Sequence, residues 1–175
     1  MSDTKSEATG GCRCIVLNAE RRESFDAQYG KPIEFGPGDK ETGSGSFSTL
    51  PEPSVWNGQS ITIPATGLYV TMLSAHRTSG AEQDDAFLNL NLRQGANAPS
   101  VIGSAWIGEN SHTAPDSGHY DRNQGVFHRV TKFDQGDEIW LTTTTDGGRH
   151  AHLAHVNWTF FHLCCDSGAG VPSPC

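Results

Sequence analysis

Three histidines lie close together near the carboxyl end of the chain: His150, His152 and His155. On a strand, the His-x-His pair would place both imidazoles on one face, which suits a metal ion. No Glu that could complete such a site follows them in the twenty residues after His155. We therefore interpret the three histidines as exposed residues of a loop, and we keep a metal site as the alternative.

The rest of the sequence carries no recognisable catalytic signature. It has no Gly-x-Ser-x-Gly, no phosphate-binding loop and no His-Glu-x-x-His motif, and Asp84 and Asp85 form no recognisable acid–base pair. Four tryptophans could stack on sugars in a lectin-like site, and Trp56 is the one expected to be exposed; the others are Trp106, Trp140 and Trp158. We predict a protein that is not an enzyme and binds no cofactor.

The five cysteines lie at the two ends of the chain: Cys12, Cys14, Cys164, Cys165 and Cys175. A Cys-x-Cys and a Cys-Cys so far apart match no standard zinc spacing. Disulfides that tie the ends together, metal ligation and buried free thiols are three interpretations that remain open. The odd number leaves at least one thiol without a partner in the same chain.

Length and composition predict one soluble domain rich in turns. The chain has 175 residues, 20 glycines, 9 prolines and a formal net charge of −8, which argues against nucleic acid as a partner. Residues 1–11 are polar and lack the apolar core of a signal peptide, and no stretch is long and apolar enough to span a membrane. We expect no membrane insertion and no classical secretion route.

Three strands are predicted near the carboxyl end, at residues 126–133, 138–144 and 156–163. Asp and Gly in residues 134–137 supply a tight turn between the first two. We interpret these strands as successive hairpins, which requires an antiparallel sheet.

The preceding sequence predicts several further strands. The first is residues 14–18, and the central one is residues 67–76. Residues 86–93 alternate strictly, so Leu88 and Leu90 should face the core while Asn89 and Asn91 face water. Another strand follows at residues 100–107. The long, poorly patterned residues 19–59 are expected to hold an extra hairpin, with short strands at 33–35 and 46–48. About eight main strands predict an all-β jelly-roll sandwich.

Two motifs resemble the C1q/TNF-like jelly-roll family. Residues 61–70 have an apolar stretch, a proline and then Gly-Leu-Tyr, and residues 136–141 have a Gly-Asp turn before an apolar aromatic strand. The resemblance implies a jelly roll over residues 12–165, between an arm at 1–11 and a tail at 166–175. It also implies that the first and last strands pair, which would bring Cys12 and Cys14 beside Cys164 and Cys165.

The last predicted strand has large apolar groups on both faces. A strand of a two-layer sandwich has only one core to face, so the second face needs a cover. One candidate is the long segment 19–59, and the other is a subunit interface, which the resemblance would make a homotrimer. The expected interface residues share one face of the last strand or lie on the central strand: Tyr69, Leu73, Trp158, Phe160 and His162.

These observations lead to a non-enzymatic trimeric binding protein. Our main hypothesis is a virion structural protein, either a capsid decoration (cement) protein or a fibre component, with a capsid or another large protein surface as its partner. One alternative is a secreted C1q/TNF-like ligand or lectin. The other is a cupin-like metalloenzyme supported by His150 and His152, although the Glu that follows such a pair in cupins is missing.

Overall fold

The computed structural model describes residues 16–36, 45–48, 55–77, 86–107, 124–145 and 150–163. These residues form ten strands and no helix, so none of them belongs to a helix that could cross a membrane. The strands are β1 (Val16–Arg21), β2 (Phe25–Gln28), β3 (Gly45–Ser48), β4 (Ser60–Thr62), β5 (Gly67–Arg77), β6 (Ala86–Arg93), β7 (Ser100–Trp106), β8 (Gln124–Phe133), β9 (Glu138–Thr145) and β10 (His150–His162).

The strands form two antiparallel sheets. The six-stranded sheet has the order β3-β1-β10-β5-β8, with β2 also paired to β10, and the four-stranded sheet has the order β4-β9-β6-β7. The first described strand pairs with the last, with Val16 opposite Phe161. This arrangement confirms the predicted all-β jelly-roll sandwich.

The expected hairpins near the carboxyl end are wrong. β8 and β10 belong to the six-stranded sheet and β9 to the four-stranded sheet, so consecutive strands cross between layers. The predicted turn itself is present: Gly136 has a φ of +88°, and the Asp134 N–H donates to the Asp137 carboxylate at 3.0 Å. Here the Asp–Gly turn joins two sheets rather than two neighbours of one sheet.

The long segment between the first and central strands contributes to both sheets. The predicted strand at residues 46–48 is confirmed within β3, which pairs with β1. Residues 33–35 form no strand, but the Ile33 N–H donates to the Leu141 carbonyl at 2.9 Å and the Phe35 N–H to the Gly58 carbonyl at 2.7 Å. Both side chains are buried, so this stretch is anchored to the sandwich by its backbone and by its core contacts.

The core between the sheets is built on aromatic side chains. Trp56, which we expected to be exposed, is buried and lies edge-on to Trp158 with ring centroids 5.8 Å apart. Phe35 packs against both rings. Burying a large apolar side chain contributes roughly 1.5–3 kcal/mol, which explains why so many aromatic rings face inward here.

Gly67 shows why the Gly-Leu-Tyr motif begins with glycine. A Cβ atom at this position would lie 2.2 Å from Nε2 of His162 on the neighbouring strand. His162 itself stacks on Tyr69, with ring centroids 4.6 Å apart. The motif therefore serves close packing between β5 and β10.

Candidate functional site

The two faces of the six-stranded sheet separate cleanly along β5. Tyr69, Thr71, Leu73 and Ala75 are buried, whereas the residues between them are partly or well exposed. Because successive side chains of a strand point to opposite faces, the buried set faces the four-stranded sheet and the exposed set forms an outer face. This outer face is the candidate site.

The structure places the predicted interface residues on the inner face. Tyr69, Leu73, Trp158 and Phe160 are 0–1% exposed in the single chain and belong to its core. Because these four side chains are already covered, they cannot contact a second subunit. The candidates for an interface are instead the alternate residues of the same strands, which point to the outer face. His162 is half-buried and lies against Tyr69.

Tyr69 illustrates the role of this inner set. Its hydroxyl donates to the Ala65 carbonyl at 2.6 Å, and its ring stacks on Phe160 with centroids 4.9 Å apart. Burial raises the pKa of the Tyr69 phenol, although the hydrogen bond to Ala65 opposes this effect. The phenol is therefore a neutral core donor, and it stabilises the sandwich rather than serving a partner.

The outer face carries a row of apolar side chains across four neighbouring strands. The register pairs Val16 with Phe161, Phe161 with Val70, and Val70 with Val130. The adjoining rows extend it, and we call the whole set the outer apolar patch: Val16, Leu68, Val70, Met72, Val130, Phe161 and Leu163.

Most of this patch is open to solvent in the single chain. Leu68, Met72 and Val130 are well exposed, as are Val16 and Leu163 at its margins. Single exposed apolar residues are normal, but a contiguous apolar surface of this kind marks an interaction site. The patch can therefore bury apolar area against another protein surface.

The opposite end of the same outer face is polar. The Glu20 carboxylate lies 2.7 Å from Nε2 of His155 and 3.0 Å from the Arg22 guanidinium, and the His155 ring lies 5.5 Å from that of His76. We call Glu20, Arg22, His76 and His155 the histidine–carboxylate cluster. Partial burial raises the pKa of Glu20, but the hydrogen bonds from Arg22 and His155 outweigh it, so the net pKa is lowered.

The predicted histidine loop is part of a strand. His150, His152 and His155 all lie on β10, and the ring of His152 contacts the Asp26 carboxylate on β2. Within the described residues, no three His, Cys, Asp or Glu side chains are arranged as metal ligands. His152 and His155 instead make separate contacts with carboxylates on neighbouring strands, Asp26 and Glu20.

The outer face of the four-stranded sheet is built differently. Here Asn89 and Asn91, which we expected to face water, are only 5% and 8% exposed. Their amides take part in a chain of hydrogen bonds, the amide–hydroxyl ladder, formed by Asn89, Asn91, Ser104, Thr142 and Thr144. Buried amides are tolerated when they are hydrogen-bonded in this way, and the ladder ties β6 to its two neighbours.

A cavity of about 440 Å³ lies beside β2. Its walls carry two cations, Arg21 and Lys31, and two carboxylates, Asp26 and Glu34. Arg21 lies over the Phe25 ring, 3.7 Å from its centroid. With its charges balanced, the cavity shows no preference for an anion or a cation.

The predicted cysteine cluster lies outside the described residues. This holds for Cys12, Cys14, Cys164 and Cys165, and also for the arm at residues 1–11 and the tail at 166–175. The strand pairing that the disulfide requires is present next to them, at Val16 and Phe161. The disulfide remains a prediction.

The sequence showed apolar side chains on both faces of the last strand, but the set predicted as an interface is the one that the structure buries. Phe161 and Leu163 were recognisable as a second apolar set, whereas Val16, Val70 and Val130 lie on three other strands. Only the register places them in one row. On the central strand, Leu68, Val70 and Met72 at alternate positions are the signal that could have indicated this face.

Known proteins resemble this chain in their structure but not in their sequence. No protein-family model and no curated protein matches the sequence. Among solved structures, Eiger TNF from S. frugiperda superposes with a TM-score of 0.58 at 10% identity, covering 91% of this chain and 98% of that one.

Two further structures agree with this result. The globular domain of zebrafish complement 1qA has a TM-score of 0.53 at 14% identity, covering 86% of this chain and 98% of that one. Murine APRIL has a TM-score of 0.54 at 11% identity, covering 86% of this chain and 100% of that one. The chain thus has the fold of C1q/TNF-like jelly rolls.

Proposed function

We propose that this chain, a sandwich with the C1q/TNF-like fold, assembles as a homotrimer and works extracellularly as a non-enzymatic binding protein. The observation that carries the proposal is the outer apolar patch. It crosses β1, β10, β5 and β8, and it is solvent-exposed in the single chain.

A second copy of the chain is the occupant that best fits this patch. The members of the patch are apolar, and the charged Lys132 and the imidazole of His128 lie beside it on β8, opposite Leu68 and Met72. Because β8 is the last strand on this side of the sheet, a surface of the same composition can cover the patch while these two groups stay at its rim. Homo-oligomers with closed symmetry are the commonest assemblies of soluble proteins. The likeness to C1q/TNF domains favours three-fold over two-fold symmetry.

Two features support a binding role rather than a catalytic one. Among the described residues, Glu20 and His155 of the outer face pair with each other and do not line a cavity as a base and a nucleophile would. The cupin-like alternative needs His150 and His152 as ligands of one metal, whereas His152 contacts Asp26.

The proposal has two versions, which differ in the kind of partner that the protein binds. The similarity to Eiger TNF, complement 1qA and APRIL favours the secreted ligand, and a lectin would be a variant of it. A capsid decoration or fibre protein at a virion surface stays a prediction. Its attachment arm, residues 1–11, lies outside the described residues.

Sedimentation equilibrium of the full chain tests the proposal. We expect a mass three times that of the 18.8 kDa chain at micromolar concentration. A mass equal to one chain would overturn the trimer, and a dimer would overturn the three-fold symmetry. A pull-down from extracellular fluid and from purified capsids then distinguishes the two kinds of partner.

A further inference from the structure

The histidine–carboxylate cluster shares its sheet face with the outer apolar patch. His76 on β5 lies directly opposite His155 on β10, and the row of Met72 begins the apolar half two rows away. Four residues along a strand span about 13 Å. A subunit interface that continues along this face for that distance includes the cluster.

The two imidazoles of the cluster are not equivalent. Nε2 of His155 lies 2.7 Å from the Glu20 carboxylate, which would compensate a proton on that ring. Among the described residues, His76 has the His155 ring as its neighbour and makes no hydrogen bond or ion pair. A proton on His76 therefore adds a charge that faces another imidazole rather than a carboxylate.

Among the described residues around His76, the formal charges balance only while the imidazoles are neutral. Glu20 lies on β1 and Arg22 directly after it, β2 supplies Asp26 and β5 ends with Arg77, so two negative and two positive charges cancel. β10 adds His152 and His155, while β8 places uncharged Gln124 beside His76 and His128 two rows away. Protonating His76 changes this sum from zero to +1 with no described carboxylate in contact, whereas a proton on His155 faces Glu20 and one on His152 faces Asp26.

We propose that the trimer is acid-sensitive, and that protonation of His76 on the outer face of the six-stranded sheet drives the folded subunits apart. The inference rests on the proposed homotrimer. Histidine changes charge between about pH 5 and 8, so the switch lies in that range. Three copies meet in one assembly, and each brings the same uncompensated charge.

The expected effect on the assembly constant is large because the trimer contains three copies of His76 and their effects multiply. If contact with a partner makes protonation of each His76 about tenfold less favourable, the assembly constant falls about a thousand-fold once all three are protonated. The fraction of trimer at a fixed protein concentration should therefore fall as the pH is lowered. Solvent screening shortens the reach of these charges, so added salt should weaken the effect.

Two substitutions of neighbouring residues should shift the transition in opposite directions. His76→Gln removes the uncompensated charge, so the trimer should persist to lower pH. Glu20→Gln removes the carboxylate that compensates His155, so dissociation should begin at higher pH. His152→Gln is the matched control, because its ring already contacts the Asp26 carboxylate, and we expect its midpoint to equal that of the wild type.

Sedimentation velocity of the full chain at about pH 7.5 and about pH 5.5 is the test, with circular dichroism at each pH to follow folding. We expect a trimer at the higher pH, folded monomers at the lower pH, and reassembly on return. Persistence of the trimer at both pH values overturns the switch and leaves the trimer standing. A monomer at both overturns the proposed function as well.

Two further outcomes also count against the switch. If His76→Gln dissociates at the same pH as the wild type, His76 is not the group responsible. If the circular dichroism spectrum is lost together with the trimer, the chain unfolds in acid, and separation of folded subunits is wrong. Near-neutral assembly of all three variants shows that each one folds.

Discussion

The outer face of the six-stranded sheet exposes apolar side chains to solvent, whereas the outer face of the four-stranded sheet carries amides that are hydrogen-bonded within the chain. On the six-stranded sheet, Val16, Phe161, Val70 and Val130 lie side by side on four strands with apolar surface open to solvent. On the four-stranded sheet, the amide–hydroxyl ladder is closed by its own hydrogen bonds. The first face gains from a partner, whereas the second already satisfies its polar groups.

Exposure alone would not have separated the two faces. Val101 on β7 and Val130 on β8 are both 55% exposed. Val101 lies opposite Asn91 and its amide, whereas Val130 lies opposite Val70 and extends an apolar row. The difference lies in the neighbours across the strand, which decide whether an exposed side chain is isolated or part of a surface.

Placing a charge in the patch should have the largest effect. Val130→Asp would put a carboxylate into the apolar row opposite Val70, and burying this charge is costly for the interface even with Lys132 two residues away on the same face. We expect a folded monomer by sedimentation, because Val130 points away from the core. Val101→Asp, with the same exposure and the same change, should leave the trimer intact. Equal assembly of both variants would remove the distinction between the faces.

The second prediction compares the inner face of β10 with its outer face. Trp158→Ala removes a buried ring that packs on Trp56 and Phe35 and should lower the free energy of unfolding by about 3–5 kcal/mol. Phe161→Ala should cost less in the folded subunit but should weaken the trimer. Urea denaturation and sedimentation measure the two effects. A Trp158→Ala variant with the stability of the wild type would contradict the packing of Trp158 against Trp56 and Phe35.

The strands were predictable, but the faces were not. Alternation along residues 86–93 and 156–163 follows from the pleat, so a single chain segment reveals it. For β10 this yields two apolar sets, one with Trp158 and Phe160 and one with Phe161. Nothing local says which set faces inward, because the answer depends on the sheet that covers it.

The candidate site was harder to predict because it is assembled by register. Val16, Val70 and Val130 are far apart in the sequence, and only the pairing of β1, β10, β5 and β8 aligns them. The same holds for the contact of Glu20 with His155. The burial of Asn89 was not predicted, because alternation along the strand shows only which face of the sheet a side chain is on. Whether an amide on that face is buried depends on its neighbours on the adjacent strands.

The third prediction tests the four-stranded face. The Asn91 amide donates to Oγ1 of Thr142 at 3.0 Å and to the Trp140 carbonyl at 3.3 Å. Asn91→Ala leaves these acceptors without their donor, which should cost about 1–3 kcal/mol of unfolding free energy with no change in assembly. Asn97→Ala, in the exposed turn after β6, should change stability by less than about 0.5 kcal/mol. Loss of the trimer in Asn91→Ala would mean that the ladder face also contacts a subunit.

The smallest expected effect concerns Glu20 and the stability of the subunit itself. Its folded-state pKa is lowered from 4.5, because the hydrogen bonds from Arg22 and His155 outweigh the effect of burial. The unfolded chain therefore binds the proton more tightly, and the contribution of Glu20 to stability is present above about pH 4.5 and is lost as pH falls through the lowered pKa. For a contact at the margin of a sheet, we expect at most about 1 kcal/mol. Glu20→Gln should flatten this part of the stability profile, measured by urea denaturation from neutral to acid pH under conditions that keep the subunit monomeric. An unchanged slope in the variant would show that the carboxylate is not held by His155 and Arg22 in solution.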